Sequence, residues 1–296
     1  MSALQIRPRT AVAVVLASLV GLLGFTWPLL VPAGSPLAQA GNAPWLFVVL
    51  LPLVLAIVLA GIAENGIDAR AVAVLGVLAA LGAALRPLGA GTAGIEPVFV
   101  LLVPAGRVFG RGFGFVLGAV TLLASALLTG GVGPWLPFQM LGAAWIGLGA
   151  GCLPALRGRA EVVLLAAYAT VAGLAFGFLM DLTVWPFLTG DGTTGAGTTG
   201  GAAPAGAGAS ALSFVPGSPL TDKLAAFARF AVATSLGWDL LRGVTLAVVT
   251  LLTGRAVLVA LRRTARRAAF DRPVATPPRV GALDVSPGRT RPPPAR

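Results

Sequence analysis

Apolar residues run along this chain in long blocks, without the strict alternation that marks a half-buried strand. Ala11–Val31 and Trp45–Ile62 each approach the ~20 apolar residues that cross a bilayer as a helix. The same pattern predicts further helices over 70–88, 97–108, 112–130, 138–156, 160–186 and 225–261, about eight in all. The fourth is short, closing at Gly106-Arg107 before Gly110-Arg111-Gly112. The last exceeds one crossing, so its basic end, Arg255 to Phe270, is expected to emerge into the cytoplasm. A membrane barrel would instead show short segments of alternating polarity. The pattern predicts an all-α membrane protein.

Composition sharpens this reading. The 296 residues are 57% hydrophobic and 10% charged, with a mean hydropathy of +0.92. A soluble domain carries about 25% charged residues to coat its surface, so the apolar excess here faces lipid. Ala38-Gln39-Ala40 resembles a signal-peptidase site. The run from Ala11 to Val31 is longer than a signal-peptide core, however, and reads as a retained helix.

The net charge of +11 raises a nucleic-acid reading, which the distribution argues against. Ten of the 21 basic residues follow Gly254, from Arg255, Arg262, Arg263, Arg266 and Arg267 to Arg296. A basic tail beside a membrane span contacts anionic lipid and sets orientation, and no soluble recognition fold accompanies it. With the N terminus inside, the inner segments carry Arg7, Arg9, Arg70, Arg107, Arg111, Arg157, Arg159 and the tail. The outer segments carry Arg86, Lys223 and nearby Arg229. This asymmetry fits a multi-pass protein of the cell membrane with both termini cytoplasmic.

The chain has no histidine and one cysteine, Cys152. Histidine triads and the commonest zinc sites are therefore excluded. A lone thiol in an apolar run reads as packing. Ten acidic residues scattered over many segments offer no convergent set for a membrane enzyme, so no catalytic residues and no metal site are assigned.

Small residues recur at spacing four: Gly76, Ala80 and Ala84; Gly110, Gly114 and Gly118; Ala143, Gly147 and Gly151; Gly173 and Gly177. Such faces let helices approach closely in lipid. No strand precedes them, so they are not nucleotide-binding fingerprints. Residues 189–219 are a low-complexity Gly, Ala and Thr stretch that reads as an external loop, a linker or a gate. A basic Pro-rich tail occupies 266–296.

Charges inside apolar spans are costly and usually face the protein interior. Asp181 lies late in the seventh span, just before Trp185; Asp239 and Arg242 share one face of the eighth. Arg86 and Glu96 flank the turn between the third and fourth. The segment Thr129–Met140 is the most distinctive, with Trp135, Phe138 and Gln139 following a Gly/Pro turn. An interfacial Trp is ordinarily a membrane anchor. An aromatic face beside an amide, however, also suits a small-molecule site.

At this point the chain resembles a known family. Arg86-Pro87-Leu88-Gly89, Gly94-Ile95-Glu96-Pro97, Ala105–Gly110, Gly133–Met140 and Gly147–Gly151 look like segments of the substrate-binding S components of energy-coupling factor (ECF) transporters. The resemblance covers roughly residues 68–265 and is strongest over 86–154. It implies a six-helix substrate-binding core at 68–265, preceded by an N-terminal two-helix addition at 1–67. It further implies capture of a vitamin or related micronutrient from outside, then delivery through a transmembrane coupling subunit. Paired ATPase subunits would use the ATP, since this chain carries no nucleotide motif and no cofactor of its own. In the family, an alanine-rich stripe on the first core helix docks the coupling subunit, which corresponds here to Ala79, Ala80, Ala83 and Ala84. External loops close over the ligand, corresponding to 89–96, 131–137 and 187–224.

The expected substrate contacts are Glu96, Trp135, Phe138, Gln139, Asp181 and Trp185. The expected function is a non-enzymatic capture subunit of an ECF-type ABC importer, with membrane lipid as a further partner and no nucleic acid. A corrinoid or a thiamine precursor would both suit the site. The alternative is a proton-coupled secondary transporter with Asp181 or Asp239 as relay.

Overall fold

The computed structural model describes residues 8–33, 35, 50–56, 69–89, 95–189 and 209–270. Among the described residues all regular structure is helical. The elements are α1 (Pro8–Leu30), α2 (50–56), α3 (Ala69–Leu85, extended by a 3₁₀ turn, Arg86–Gly89), α4 (Val98–Phe109) and α5 (Arg111–Thr129). They continue with α6 (Leu136–Cys152), α7 (Arg159–Thr189), α8 (Ala209–Leu212), α9 (Leu220–Phe230) and α10 (Leu236–Phe270). A π-helical turn, Ala231–Ser235, joins α9 to α10. The Ala69–Gly89, Arg111–Thr129, Arg159–Thr189 and Leu220–Arg267 segments are long and apolar enough to cross a membrane, and Val14–Leu30, Val98–Phe109 and Leu136–Cys152 are shorter apolar helices. This architecture is compatible with a multi-pass membrane protein, and eight principal helices match the number expected. The second expected helix, 45–62, falls largely outside the described residues, as do most of the 189–219 stretch and the tail.

Local chemistry explains where helices stop. Gly110 adopts φ 97° and is the single residue between α4 and α5, its N–H donating to the Gly106 carbonyl. Only glycine takes such a backbone readily. Gly130 ends α5 in the left-handed region, and the Gly131 N–H donates back to the Ala126 carbonyl, a Schellman closure. The sixth helix was expected to reach residue 156. It stops at Cys152 because Leu153 turns extended ahead of Pro154, as residues before proline prefer. Cys152 is consequently exposed at the helix end, not packed in an apolar interior.

The core is built around α4, α5 and α6. Gly114 of α5 and Gly147 of α6 face each other so closely that a methyl on either would lie 2.5 Å from the other's carbonyl carbon. A methyl on Gly106 of α4 would lie 3.1 Å from the Gly147 carbonyl carbon, and one on Gly118 would lie 2.6 Å from the Ala144 nitrogen. The small faces on α5 and α6 are thus spent on this crossing, as small residues are in lipid. By contrast, nothing lies within 4 Å of a methyl placed on Gly76 of α3.

The N-terminal helix is part of the same packing. Phe25 stacks edge-on to Phe138 of α6 at 5.1 Å, and the Trp145 Nε1 donates to Ser18 Oγ at 2.9 Å. Its C-terminus is capped from α9: the buried Lys223 Nζ donates to the carbonyls of Val31 (2.7 Å) and Leu29 (3.2 Å). These are among the carbonyls a helix end leaves without intrahelical partners. Around this junction Trp27, Val31, Leu182, Trp185, Phe214, Phe227 and Phe230 form a second apolar cluster, separate from the main core.

Two ionic layers tie α4, α7 and α10 together. At the end of the bundle that holds the α4–α5 turn, here the lower end, Glu161 is 1% exposed. It accepts from Arg107 Nε (2.9 Å) and Arg262 Nη2 (2.6 Å). Arg107 also donates to the Leu153 carbonyl at 2.8 Å. The other layer, at the upper end, involves Arg242, twenty residues earlier on α10. At 1.5 Å per residue the two arginines stand about 30 Å apart along the helix, close to the thickness of a bilayer's hydrocarbon core.

Candidate functional site: a polar network between five helices

The upper layer gathers charged and amide side chains from α3, α4, α6, α7 and α10. Arg242 pairs with Asp239 one turn earlier on α10, and its Nη2 reaches Glu96 Oε1 at 3.3 Å. Glu96 precedes α4 by two residues, so this contact fixes the start of the short helix against α10. On α3, the Arg86 Nη2 donates to Gln139 Oε1 at 2.9 Å, and the same guanidinium is in electrostatic contact with Glu96. The side chains of Arg242 and Asp239 are 11% and 13% exposed, and that of Glu96 30%. The network is therefore sheltered on α10 and opens at Glu96.

One glycine of α7 makes the room. A methyl on Gly177 would collide with the Asp239 carboxylate and the Arg242 guanidinium, whereas one on Gly173 would first meet Leu246 Cδ1 of α10 at 2.7 Å. Of the Gly173/Gly177 pair, Gly173 packs α7 on α10 as a packing face does, and Gly177 lets a charged pair lie flat on the α7 backbone. Asp181 follows one turn above Gly177. It sits beside Ser235, Asp239 and Arg242. Its Oδ2 is buried without a hydrogen-bond partner, and so is Arg242 Nε. The π-helical turn Ala231–Ser235 brings Ser235 here. Such turns, with their looser hydrogen-bond ladder, concentrate at functional sites.

Of the six expected substrate contacts, the structure brings Glu96, Gln139 and Asp181 into this network, and sets Trp135, Phe138 and Trp185 apart from it. Trp135 closes its own turn, with Nε1 donating to the Gly131 carbonyl at 3.2 Å. Phe138 is buried against Phe25 of α1. Trp185 is fully buried in the second cluster, against Phe214 (5.2 Å) and Phe227 (5.6 Å), and its Nε1 donates to the Leu212 carbonyl at 2.8 Å. Arg86, Asp239 and Arg242 join the network although they were not expected substrate contacts. Their signal was present, as charges inside apolar runs, but the Asp239–Arg242 spacing also suits a self-contained pair. Nothing in the sequence showed that Glu96, 146 residues away, would share that arginine. Ser235 and the π turn gave no sequence signal.

The four expected docking alanines divide. Ala79 and Ala83 are turned into the bundle, at 2% and 3% exposure. Ala80 and Ala84 face outward, in a row with Ala69, Ala73 and Gly76. Among the described residues no group of three or more His, Cys, Asp and Glu could hold a metal ion.

Comparison of the chain with known protein families, characterised proteins and solved structures gives no match.

Proposed function

We propose that this chain captures a small, polar, vitamin-like molecule in the network of Arg86, Glu96, Gln139, Asp181, Asp239 and Arg242, and hands it to an importer driven by partner ATPases, as an S component of an energy-coupling factor transporter does. The observation that carries this reading is the convergence of these side chains from five helices, with a buried carboxylate oxygen and a buried guanidinium nitrogen that the chain itself leaves unpaired. An unpaired buried polar group costs about 1–3 kcal/mol, and a ligand that offers both a donor and an acceptor would recover that. The outward row Ala69, Ala73, Gly76, Ala80 and Ala84 supports a docking face for a coupling subunit, because small residues allow a partner helix to approach. The resemblance over 68–265 supplies the class. Mass spectrometry of small molecules released from the gently purified protein tests the reading. A stoichiometric vitamin or precursor is expected. An empty protein that gains no thermal stability from a panel of vitamins would defeat it.

One observation favours a second reading, a proton-coupled secondary transporter. Asp181 and Asp239 lie side by side with Arg242, the carboxylate arrangement that proton relays use. Uptake that persists with this chain alone and collapses with the proton gradient would favour it. Uptake that requires ATPase-competent partners would favour capture.

A further inference from the structure

The upper network holds more negative than positive charge. Its described members bring two guanidinium groups, Arg86 and Arg242, against three carboxylates, Glu96, Asp181 and Asp239. The terminal guanidinium nitrogens of Arg242 are used on Asp239 and Glu96, leaving its Nε unpaired, and Arg86 is used on Gln139 and the field of Glu96. The nearest other cations along α9 are used elsewhere, Lys223 on the carbonyls of Leu29 and Val31, and Arg229 on that of Ala211 (3.3 Å). The carboxylate with a spare oxygen is Asp181, which also contacts Ser235 and Asp239. It faces Ser235, Asp239 and Arg242 from α10 and its π turn, while Glu96, Arg86 and Gln139 complete the network from α4, α3 and α6. Its Oδ2 is the buried oxygen without a partner.

A surplus charge away from water must be neutralised. We propose that the site binds an organic cation, a protonated amine or amidinium, whose N–H donors cover Asp181. This rests on the reading of the network as a ligand site and names the class of ligand it takes. A compact cation seated at Asp181 would leave its apolar remainder toward the partly exposed Glu96. No covalent bond is made or broken.

The test melts the full chain in detergent, alone and with millimolar benzamidine, benzamide or benzoate. These probes share one ring and differ in charge. The expected result is a melting temperature raised by benzamidine alone, by several degrees. Asp181→Asn should abolish the benzamidine effect. Glu96→Gln, which balances the charges at a more exposed position, should also remove the preference for cation over neutral amide. A melting temperature that no probe raises, or that benzamide or benzoate raises as well as benzamidine, overturns the cation assignment. A benzamidine effect undiminished in Asp181→Asn overturns the seat at Asp181. A neutral or anionic vitamin released from the purified protein would overturn the ligand class while leaving capture intact, so the two failures are distinguishable.

Discussion

The α5–α6 crossing gives a sharp quantitative test. Gly147→Ala places a methyl 2.5 Å from the Gly114 carbonyl carbon and 3.0 Å from its Cα. Both are backbone atoms that cannot rotate away. Ordinary carbon contacts lie at about 3.5–4.0 Å, so the helices must part by roughly 1 Å. Gly106 of α4 leans on the same Gly147 carbonyl, so the disturbance reaches a third helix. Overpacking of a filled interior costs about 1–3 kcal/mol, against which alanine recovers roughly 0.5–1 kcal/mol of helix propensity. The net expectation is a loss of about 1–2 kcal/mol, or a fall in melting temperature of a few degrees at ~2–4 °C per kcal/mol. Gly76→Ala is the control, with nothing within 4 Å of the added methyl, so it should leave stability unchanged or raise it slightly. The assay is thermal unfolding of the two variants in one detergent, followed by intrinsic tryptophan fluorescence. Equal shifts in both variants, or a Gly147→Ala protein as stable as the parent, would refute the tight crossing.

Three other expectations follow from single contacts. Glu161→Gln removes the shared anion between Arg107 and Arg262; because Glu161 is buried and Arg107 nearly so, a loss of about 3 kcal/mol should appear as a lowered melting temperature, and a neutral outcome would reduce the triad to a surface pair. Lys223→Met leaves the Leu29 carbonyl without its Lys223 donor and Val31's with only the Gly217 N–H, at roughly 1–3 kcal/mol, and should loosen α1 from α9, read as faster proteolysis near residue 31 with the rest of the chain intact. Ala80→Leu with Ala84→Leu should weaken association with a coupling subunit while sparing ligand binding, whereas Ala79→Leu with Ala83→Leu should destabilise the chain itself, since those two face its own core; the reverse pattern in co-purification and melting would reject the outward docking face.

Helix positions were legible because length and hydropathy alone decide them. Six of the eight predicted spans match described helices within four residues, while the last, predicted to end at 261, runs on to Phe270 after a π turn, and Gly110 and Gly130 mark ends where their backbones leave the right-handed region. Azimuth was not legible. A soluble helix announces its buried face by contrast with its polar one, but in lipid both faces are apolar, and Ala79 (buried) cannot be told from Ala80 (exposed) by composition. The same limit explains Phe138 and Trp185. Both are aromatic and near a helix end, as ligand walls and membrane anchors are, yet each is occupied by a distant partner: Phe25 lies 113 positions earlier in sequence, and Leu212 accepts from Trp185 across 27 residues. The polar candidates fared differently. Glu96, Gln139 and Asp181 converge because a charged or amide group inside an apolar bundle has few tolerable destinations, and each narrows the choice for the next.

That difference locates the chemistry of the molecule. Trp135 is consumed by closure of its own turn, and Phe138 and Trp145 of α6 are taken up by Phe25 and Ser18 of α1. The charged layer is set apart by Gly177 of α7, which gives space to a carboxylate and a guanidinium. The lower layer provides the contrast. There one carboxylate meets two arginines and the set is satisfied within the chain. In the upper layer the carboxylates outnumber the arginines, and a donor and an acceptor stay unmatched. Both layers bridge α4, α7 and α10, so both serve to hold the bundle. Only the upper one is left with unmet hydrogen-bonding capacity, beside the one π-helical turn among the described residues. Their asymmetry is what supports the proposed reading of the upper layer as a binding site, where the lower one serves as a clamp.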